Sequence, residues 1–353
     1  MGSEMCIRDR CKSDLLIKGY DPSNIQLGDT LADDKFAGQT FDYCMSNPPY
    51  GDDWKASQSA VLNELKELGE SSRFYAGGAK PKQNVPSISD GQMLFLQHVV
   101  SKLRPKVKGG GRGGIVMNGS PLFNGAAGSG PSNIRKWLLE HDLVDAIVAL
   151  PTDMFYNTGI ATYIWIVDNN KPEERQGKVQ IIDATEFYAK MRKKLGDKGR
   201  EITETNRATI VQLYADYEES ELCKIIPIEE FAYWTITVER PQRDDDGKII
   251  TNTRGKKQPD TSLRDTERVP YTYNGNTKAD EGRKETINAY FEAEVKPYVP
   301  DAWVDEKKTK IGYEIPFTRY FYRYEPPRPL EEIDAELHEV TQEILELLSE
   351  VTE

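Results

Sequence analysis

Short apolar runs alternate with helix-like patterns along most of the chain. Each run is four to seven residues long and is bounded by Gly, Pro, Asn or Asp, which is typical of strands buried on both faces of a sheet. The runs are Ile25–Gly28, Tyr43–Ser46, Ile115–Asn118, Ala146–Leu150 and Ala161–Val167. Two segments between them have apolar side chains at helical spacing: Gly91–Leu103, with Asp90 as the expected N-cap, and Asn133–His141. This alternation predicts an α/β fold with a mostly parallel sheet and helices on both faces.

The segment 326–353 has the most regular pattern in the chain. Its apolar residues are spaced alternately by three and four positions, and they are Leu330, Ile333, Leu337, Val340, Ile344, Leu347 and Val351. The other positions include nine acidic residues and no Lys or Arg from 330 onward, so the segment is predicted to be a heptad helix with one apolar seam. Such a helix needs a partner, either its own domain or another subunit, and the lack of a second apolar face favours another subunit.

The remaining segments divide the chain further. Residues 1–10, MGSEMCIRDR, do not resemble the start of any element and are interpreted as a non-native segment before a chain that enters near Cys11. Residues 11–240 are expected to form a partial catalytic domain. Residues 241–285 are polar and are predicted to be an irregular excursion within a C-terminal extension, 241–325. The glycine-rich Lys106–Gly114 precedes a strand rather than a helix, which favours a flexible crossover over a phosphate-binding loop.

Composition excludes several classes of protein. The chain has 353 residues, of which 38% are hydrophobic and 29% charged, as in ordinary globular proteins. No apolar run approaches the roughly 20 residues that a membrane span needs, and no signal peptide opens the chain. The four cysteines and three histidines show no metal-binding spacing. We therefore expect a cytoplasmic protein without a metal site.

The net charge of −12 is unevenly distributed. Nine of the 58 acidic residues lie in 330–353, so that residues 1–329 carry a net charge of only −3. One short stretch is strongly basic, and its cations are Lys190, Arg192, Lys193, Lys194, Lys198 and Arg200, opposed there only by Asp197. This stretch is either a solvated loop or helix face or a surface that binds a polyanion, because binding depends on where the cations lie.

The residues with the clearest chemistry are Asn47, Pro48, Pro49 and Tyr50, which directly follow the apolar run FDYCMS. The two prolines remove two backbone donors, so the turn presents mainly carbonyl oxygens, to which Asn47 adds a side-chain acceptor. Converging acceptors suit an exocyclic amino group, and they favour a pyramidal nitrogen whose lone pair can attack a methyl group. Tyr50 adds a flat face for the ring that carries the amine. A purely structural turn is the alternative.

FDYCMSNPPYG resembles motif IV of amino-methyltransferases that use S-adenosylmethionine. From Cys11 to the C-terminus the chain resembles the modification (M) subunit of type I restriction-modification systems, a family of adenine-N6 DNA methyltransferases. The stretches that carry the resemblance are KSDLLIKGYDPSNIQLGDTL, SDGQMLFLQHVVSKL, GGRGGIVMNGSPLFNG, LPTDMFYNTGIATYIWIV and YEPPRPLEEIDAEL. The resemblance implies a Rossmann-like sheet and S-adenosylmethionine as cofactor. NPPY alone is shared with enzymes that methylate protein glutamine or RNA bases.

The resemblance also implies roles for single residues. Asn47, Pro48 and Tyr50 would bind the amine of the target adenine and stack on its ring. Asp29, in LGDT after an expected strand, would bind the adenine amino group of the cofactor, although a lone Asp there is more often a turn or cap residue. Phe155, in DMFYNTGIAT, would stack on the flipped base from the opposite face, although an aromatic before a strand is usually a core residue.

The chain departs from the family pattern at its beginning. Residues 1–24 contain no Asp-Pro-x-x-Gly-x-Gly cofactor loop and no acidic residue matching the one that holds the cofactor ribose. We therefore expect a C-terminal part of the subunit, with a sheet that lacks its first two strands and has an unpaired edge.

For the whole subunit the resemblance implies several partners. They are double-stranded DNA, a specificity (S) subunit held through the Leu330–Val351 helix, and a restriction (R) subunit. Membranes are not among them. One alternative is a non-catalytic assembly fragment that docks a specificity subunit. Another is a methyltransferase for RNA or protein glutamine, against which the heptad helix and the polar excursion argue.

Overall fold

The computed structural model describes residues 2–275, 282–324 and 329–352. The α-helices in these ranges are α1 (Gly2–Ile17), α2 (Gln58–Leu68), α3 (Gln92–Ser101), α4 (Ser120–Phe123), α5 (Gly130–Glu140), α6 (Glu204–Asp216), α7 (Arg283–Tyr290), α8 (Phe317–Phe321) and α9 (Leu330–Thr352). The strands are β1 (Tyr43–Ser46), β2 (Arg112–Asn118), β3 (Val144–Ala149), β4 (Thr162–Asp168), β5 (Lys178–Asp183), β6 (Ala189–Leu195), β7 (Lys198–Glu201), β8 (Cys223–Pro227), β9 (Ala232–Glu239), β10 (Asp265–Pro270), β11 (Trp303–Val304) and β12 (Lys310–Tyr313).

The main sheet has six strands in the order β1-β2-β4-β3-β5-β8. The pairs β1–β2 and β3–β5 are parallel, and the other three pairs are antiparallel. The predicted α/β class with a mostly parallel sheet is confirmed, since β1, β2, β3 and β5 run in one direction, and the departures are β4 and β8, which are antiparallel to their neighbours. The connection from β3 to β4 contains no helix, so the chain reverses and inserts β4 antiparallel between β2 and β3.

The core lies around the central strands of this sheet. Every residue of β3 is buried, so both of its faces are covered. Helix α3 packs against β1 and β2, and a Cβ at Gly113 would come within 2.7 Å of Val99 and 2.8 Å of Val167. Strands β1, β2 and β3 run in the same direction, so their carboxyl ends lie along one edge of the sheet, where α/β folds place ligands.

A second sheet is built around β9, which pairs antiparallel with β10, β11 and β12. Buried Arg135 in α5 connects β12 to the first sheet's helices, because it donates hydrogen bonds to the carbonyls of Tyr313 at 2.7 Å and Pro121 at 3.0 Å. The prediction of an irregular excursion over residues 241–285 is wrong for β10, whose Val269 is buried. The segment was not predicted as a strand because most of its residues are charged or polar, but it pairs on one side with β9.

Other sequence-based boundaries also need correction. Residues 2–10 are part of α1, although no element was expected there; the segment from Ser3 to Ile17 contains no Pro or Gly to interrupt a helix. Residues 25–28 are not a strand, because no strand in the described ranges pairs with them and the Ile25 amide donates to the nearby Pro22 carbonyl at 3.1 Å. Asp90 lies one position before the N-cap of α3 and accepts a bond from the amide of Gln92 at 3.1 Å. β2 already begins at Arg112, inside the expected crossover.

The chain divides into two compact units, Met1–Phe317 and Thr318–Glu353. The predicted terminal helix is confirmed as α9, whose seam residues from Leu330 to Leu347 are all exposed. The expected boundary between residues 325 and 326 lies outside the described residues. No helix in the described part of the chain is long and apolar enough to cross a membrane.

Candidate functional site

The Asn47–Tyr50 turn lies at the carboxyl end of β1, the edge strand of the main sheet. Two successive prolines cannot donate to a strand ladder, so β1 ends before them and the chain turns across the end of the sheet. Pro48 is buried and anchors the turn, whereas Asn47 and Pro49 are exposed. The sequence therefore places an exposed amide on a rigid turn where a ligand would approach the sheet.

Asn47 and Tyr50 are connected by a hydrogen bond. The Tyr50 hydroxyl donates to Oδ1 of Asn47 at 2.6 Å. Burial of the half-buried ring raises the pKa of Tyr50 to about 12, so the phenol keeps its proton at neutral pH and remains a donor. An amide oxygen has two lone pairs, so Asn47 keeps one acceptor site for a ligand while the phenol fixes its orientation.

Phe155 lies in the loop between β3 and β4, at the same edge of the sheet. Its ring centroid is 6.0 Å from that of Tyr50, and the two ring planes form an angle of 81°. The structure therefore brings the two predicted stacking residues together, but in an edge-to-face arrangement. A flat base held by both ring faces would require the Phe155 side chain to turn.

Asn47, Tyr50 and Phe155 line one cavity of about 770 Å³. Sequence reasoning missed several further polar residues in its wall, among them Asn118 and Asp52. Asn118 ends β2, the strand next to β1, and its Oδ1 accepts bonds from the amide and hydroxyl of Ser120 at 2.9 and 2.7 Å. The signal was available in the sequence, because a polar residue at the end of an apolar strand faces the same edge as its neighbour.

A second cavity of about 900 Å³ contains Asp29. The two cavities share Pro49 and Asp52 in their walls, so they meet at the turn. Oδ1 of Asp29 accepts the amide of Leu31 at 2.9 Å, and Oδ2 accepts the hydroxyl of Ser57 at 2.5 Å. Asp29 thus caps its own local turn, as expected for a lone Asp after a strand-like run. It also lies in a cavity that borders the Asn47–Tyr50 turn.

Comparison with known proteins gives one family. The model of the N-6 DNA Methylase family matches residues 5–244, a segment that includes both cavities' polar residues. The chain belongs to the N-6 DNA methylase family.

Relatives of the chain include methylase subunits of type I restriction enzymes. The MjaIX methylase subunit of Methanocaldococcus jannaschii is 30% identical over 231 residues, which are 63% of this chain and 38% of that protein. The HindI methylase subunit of Haemophilus influenzae is 31% identical over 57% of this chain and 41% of its own length. The chain thus matches about two fifths of the length of these relatives. A type I methyltransferase subunit from Streptococcus thermophilus has a TM-score of 0.49 and 25% identity, over 62% of this chain and 42% of that one.

The Asp29 cavity fits the adenosine part of S-adenosylmethionine, the cofactor of amino-methyltransferases. Leu31 and Trp54 in its wall are almost fully buried and provide an apolar surface for a purine. Asp29 keeps lone pairs beyond its bonds to the turn and to Ser57, and a carboxylate suits an amino group. Asp52 and Asp53 are carboxylates that suit ribose hydroxyls or an ammonium group.

The side chains around the Asn47 cavity define which kind of ligand it can hold. The described lining residues provide amides, carbonyls, hydroxyls and aromatic rings, with Asp52 as the single charged side chain. No cluster of three His, Cys, Asp or Glu that could hold a metal ion is found in the described ranges. The lining therefore suits an aromatic ligand with an amino group, which needs acceptors rather than a charged partner.

Proposed function

We propose that this chain is the target-base part of an adenine-N6 DNA methyltransferase, the modification subunit of a type I restriction-modification system. The observation that carries the proposal is the Asn47–Tyr50 turn, which forms one cavity with Phe155 and meets the Asp29 cavity at Pro49 and Asp52. An amine held at Asn47 and a cofactor held at Asp29 would therefore approach each other across the turn. Family membership and the type I relatives support the DNA substrate over RNA or protein.

In the proposed reaction the protein binds and positions the amine that receives the methyl group. Asn47 Oδ1 and the carbonyl oxygens of the proline turn accept hydrogen bonds from N6 of a flipped adenine, and Tyr50 stacks on its ring. When bound, S-adenosylmethionine supplies a methyl group on a positively charged sulfur. Asn47 Oδ1 and the turn carbonyls would hold N6 with its lone pair directed at that methyl group, so that the methyl would pass from sulfur to N6 and N6 would then release a proton to water. No general base is needed before transfer, because the proton becomes acidic only after methylation.

The acidic helix α9 supports the assembly part of the proposal. Its seam from Leu330 to Leu347 is exposed, and the helix has no Lys or Arg. In the proposed complex, the Leu330–Val351 seam docks against helices of the specificity subunit, and the restriction subunit joins the full assembly. A DNA substrate places the proposed enzyme in the cytoplasm.

The proposed function is tested by replacing Asn47 with Ala in the complete gene product, assembled with its specificity subunit. Loss of this acceptor removes an interaction that strengthens in the transition state, so the single-turnover rate on a cognate duplex should fall roughly a hundredfold or more. Asn157→Ala is the matched control, because it removes an amide from the same cavity away from the turn. A normal rate for Asn47→Ala would refute the assignment.

A further inference from the structure

The basic stretch 190–200 forms a separate two-stranded hairpin of β6 and β7. The expected loop or helix face is therefore a strand pair instead, although its cations are largely exposed to solvent, as that interpretation expected. Lys190, Arg192, Lys193 and Lys194 are exposed, and no carboxylate within the described ranges lies at ion-pair distance from any of the six cations of the hairpin. Lys190 also lies directly opposite Arg200. Like charges in a cross-strand pair repel each other, and a bound anion would relieve that repulsion.

Backbone hydrogen bonds fix the hairpin to the loop that carries Phe155. The amides of Gly199 and Arg200 donate to the Asp153 carbonyl at 3.0 and 3.2 Å, and the Asp197 amide donates to the Tyr156 carbonyl at 3.0 Å. The Arg200 guanidinium also donates to the Thr152 hydroxyl at 2.9 Å. The hairpin therefore has a defined position relative to the loop rather than an independent one.

The turn of the hairpin touches the wall of the Asn47 cavity. Gly196 has a φ of +64°, and a Cβ there would come within 2.4 Å of the Tyr156 carbonyl oxygen, so only glycine allows this approach. Nζ of Lys198 lies 5.3 Å from the centroid of the Tyr156 ring. Tyr156 lines the same cavity as Asn47 and Phe155 and is 58% exposed. Lys198, at the start of β7, thus lies beside the proposed base pocket.

We infer that the β6–β7 hairpin binds the phosphates of the DNA strand next to the flipped adenine. The inference rests on the proposed function, because it takes the Asn47 cavity as the base pocket. Ala189 pairs with Glu201 and Leu195 with Lys198, so the hairpin is only about 10 Å long, and the register shift between Lys190 and Leu195 makes β6 bulge there. Six cations without a carboxylate partner in the described ranges are therefore crowded on a short hairpin, which suits a polyanion with several charges better than one small anion. The phosphates on both sides of a flipped nucleotide remain close to the pocket that holds its base. Binding them would hold the strand while the base is out of the stack.

The test compares two triple variants of the 353-residue chain that lose the same charge. The hairpin variant is Lys190→Gln, Lys193→Gln and Lys194→Gln. The control is Lys66→Gln, Lys106→Gln and Lys108→Gln. These lysines are also exposed and have no ion pairs among the described residues. Lys106 and Lys108 precede β2 and so lie at the amino ends of the parallel strands, away from the Asn47 cavity. Binding to a fluorescent duplex of about 30 base pairs is measured by anisotropy from about 50 to 200 mM NaCl.

The hairpin variant should bind about tenfold more weakly at about 100 mM NaCl, and its slope of log K against log salt should decrease by about 0.9 for each phosphate that it no longer neutralises. The control should retain the original slope. Equal losses of affinity in both variants, or no loss in the hairpin variant, would overturn the inference. A third outcome would also overturn the inference: the hairpin variant binds DNA normally but no longer binds the specificity subunit. The hairpin would then be a contact surface for that protein and not for DNA.

Methyl incorporation by the complete gene product separates this inference from the proposed function. Hairpin-dependent DNA binding without methyl transfer would count against the proposed function and leave the DNA surface in place. Methyl transfer with unchanged DNA binding in the hairpin variant would count against the surface alone. The melting temperatures of the two triple variants should match that of the unaltered chain, because none of the replaced side chains is buried or paired within the described ranges.

Discussion

At the scale of single residues, the Tyr50 hydroxyl orients Asn47, a role separate from the stacking of the Tyr50 ring on a base. Its bond to Oδ1 of Asn47 fixes the amide that would accept the target amine. A deprotonated phenol could not donate this bond, and burial keeps the proton on Tyr50 because it raises the pKa to about 12. The order of residues in the turn therefore also determines the orientation of the proposed acceptor.

Replacement of Tyr50 separates the two roles. Tyr50→Phe keeps the ring and loses one hydrogen bond worth about 0.5–1.5 kcal/mol, so single-turnover methylation should slow by about two- to tenfold. Tyr50→Ala also loses stacking worth about 1–3 kcal/mol and should be slower still. The rates are measured on one cognate duplex with saturating cofactor. Equal rates for the unaltered protein and the Tyr50→Phe variant would show that the hydroxyl does not orient Asn47.

His98, which lies outside both cavities, should make the free energy of unfolding depend on pH. Burial, with a contribution from Arg73, lowers the pKa of His98 to about 4, and Arg73 donates to its Nδ1 at 3.0 Å. Between about pH 6.5 and 4 the unfolded chain binds a proton that the folded chain does not, so stability falls as the pH falls through this window. The melting temperature of His98→Asn should change less over that window than that of the unaltered chain. Parallel curves for the two proteins would contradict the prediction.

At the scale of elements, local patterns predicted helices better than strands. The 3-4 spacing identified α9, because a helix depends on residues a few positions apart along the chain. The apolar residues 25–28 have the composition of a strand, but no strand in the described ranges pairs with them, and the Ile25 amide instead donates to the Pro22 carbonyl in a local turn. β10 was missed for the opposite reason: it has a polar sequence, but it pairs along its whole length with β9.

The apolar seam of α9 is predicted to bind the specificity subunit. Leu337→Asp with Ile344→Asp should abolish co-purification with the specificity subunit and leave the melting of the unit Met1–Phe317 unchanged, because two charges enter an apolar seam. Glu339→Ala with Glu343→Ala changes the same helix outside the seam and should co-purify normally. Full yield of the Asp variant would rule out this interface. Global unfolding of that variant would show that the helix belongs to the chain's own core.

At the scale of the whole molecule, the meeting of the two cavities at Pro49 and Asp52 is the basis of the proposed transfer. The resemblance to the family predicts that the 353 residues provide only part of the cofactor side of this arrangement. Asp29 and its apolar neighbours suit adenosine, whereas residues 1–24 contain no glycine-rich loop for the rest of the cofactor. The two halves of the proposed active site therefore differ in how much of their ligand the 353 residues can bind.

This difference gives a prediction for cofactor binding. The 353-residue chain alone should show no measurable binding of S-adenosylmethionine in calorimetric titration, because interactions with adenosine alone are too few. A relative that contains the glycine-rich loop serves as the positive control. Saturable binding at micromolar concentration would show that the Asp29 cavity is sufficient by itself.

Charge also differs between the whole molecule and its parts. A net charge of −12 argues against DNA binding only if the charge is evenly spread. Nine acidic residues lie in the segment 330–353, and six cations lie in the β6–β7 hairpin beside the Asn47 cavity. The sequence identified both clusters, but only the structure showed that the cations lie next to the proposed base pocket.

The sequence by itself determined the features that depend on neighbouring residues. These are α9, the end of β1 at the Asn47–Tyr50 turn, and the α/β class. Proline geometry and helical spacing act over a few residues and do not require the rest of the fold. The acceptor-rich turn was therefore identifiable as the candidate site before any tertiary contact was known.

The tertiary structure alone decided which distant segments meet. It inserted β4 antiparallel between β2 and β3, brought Phe155 to Tyr50 in an edge-to-face arrangement, and added Asn118 to the same cavity. Each of these juxtapositions depends on strand order and packing, which are set by the competition among many alternative pairings rather than by local preference. That is the physical reason why the sequence predicted the turn but not the full lining of the cavity.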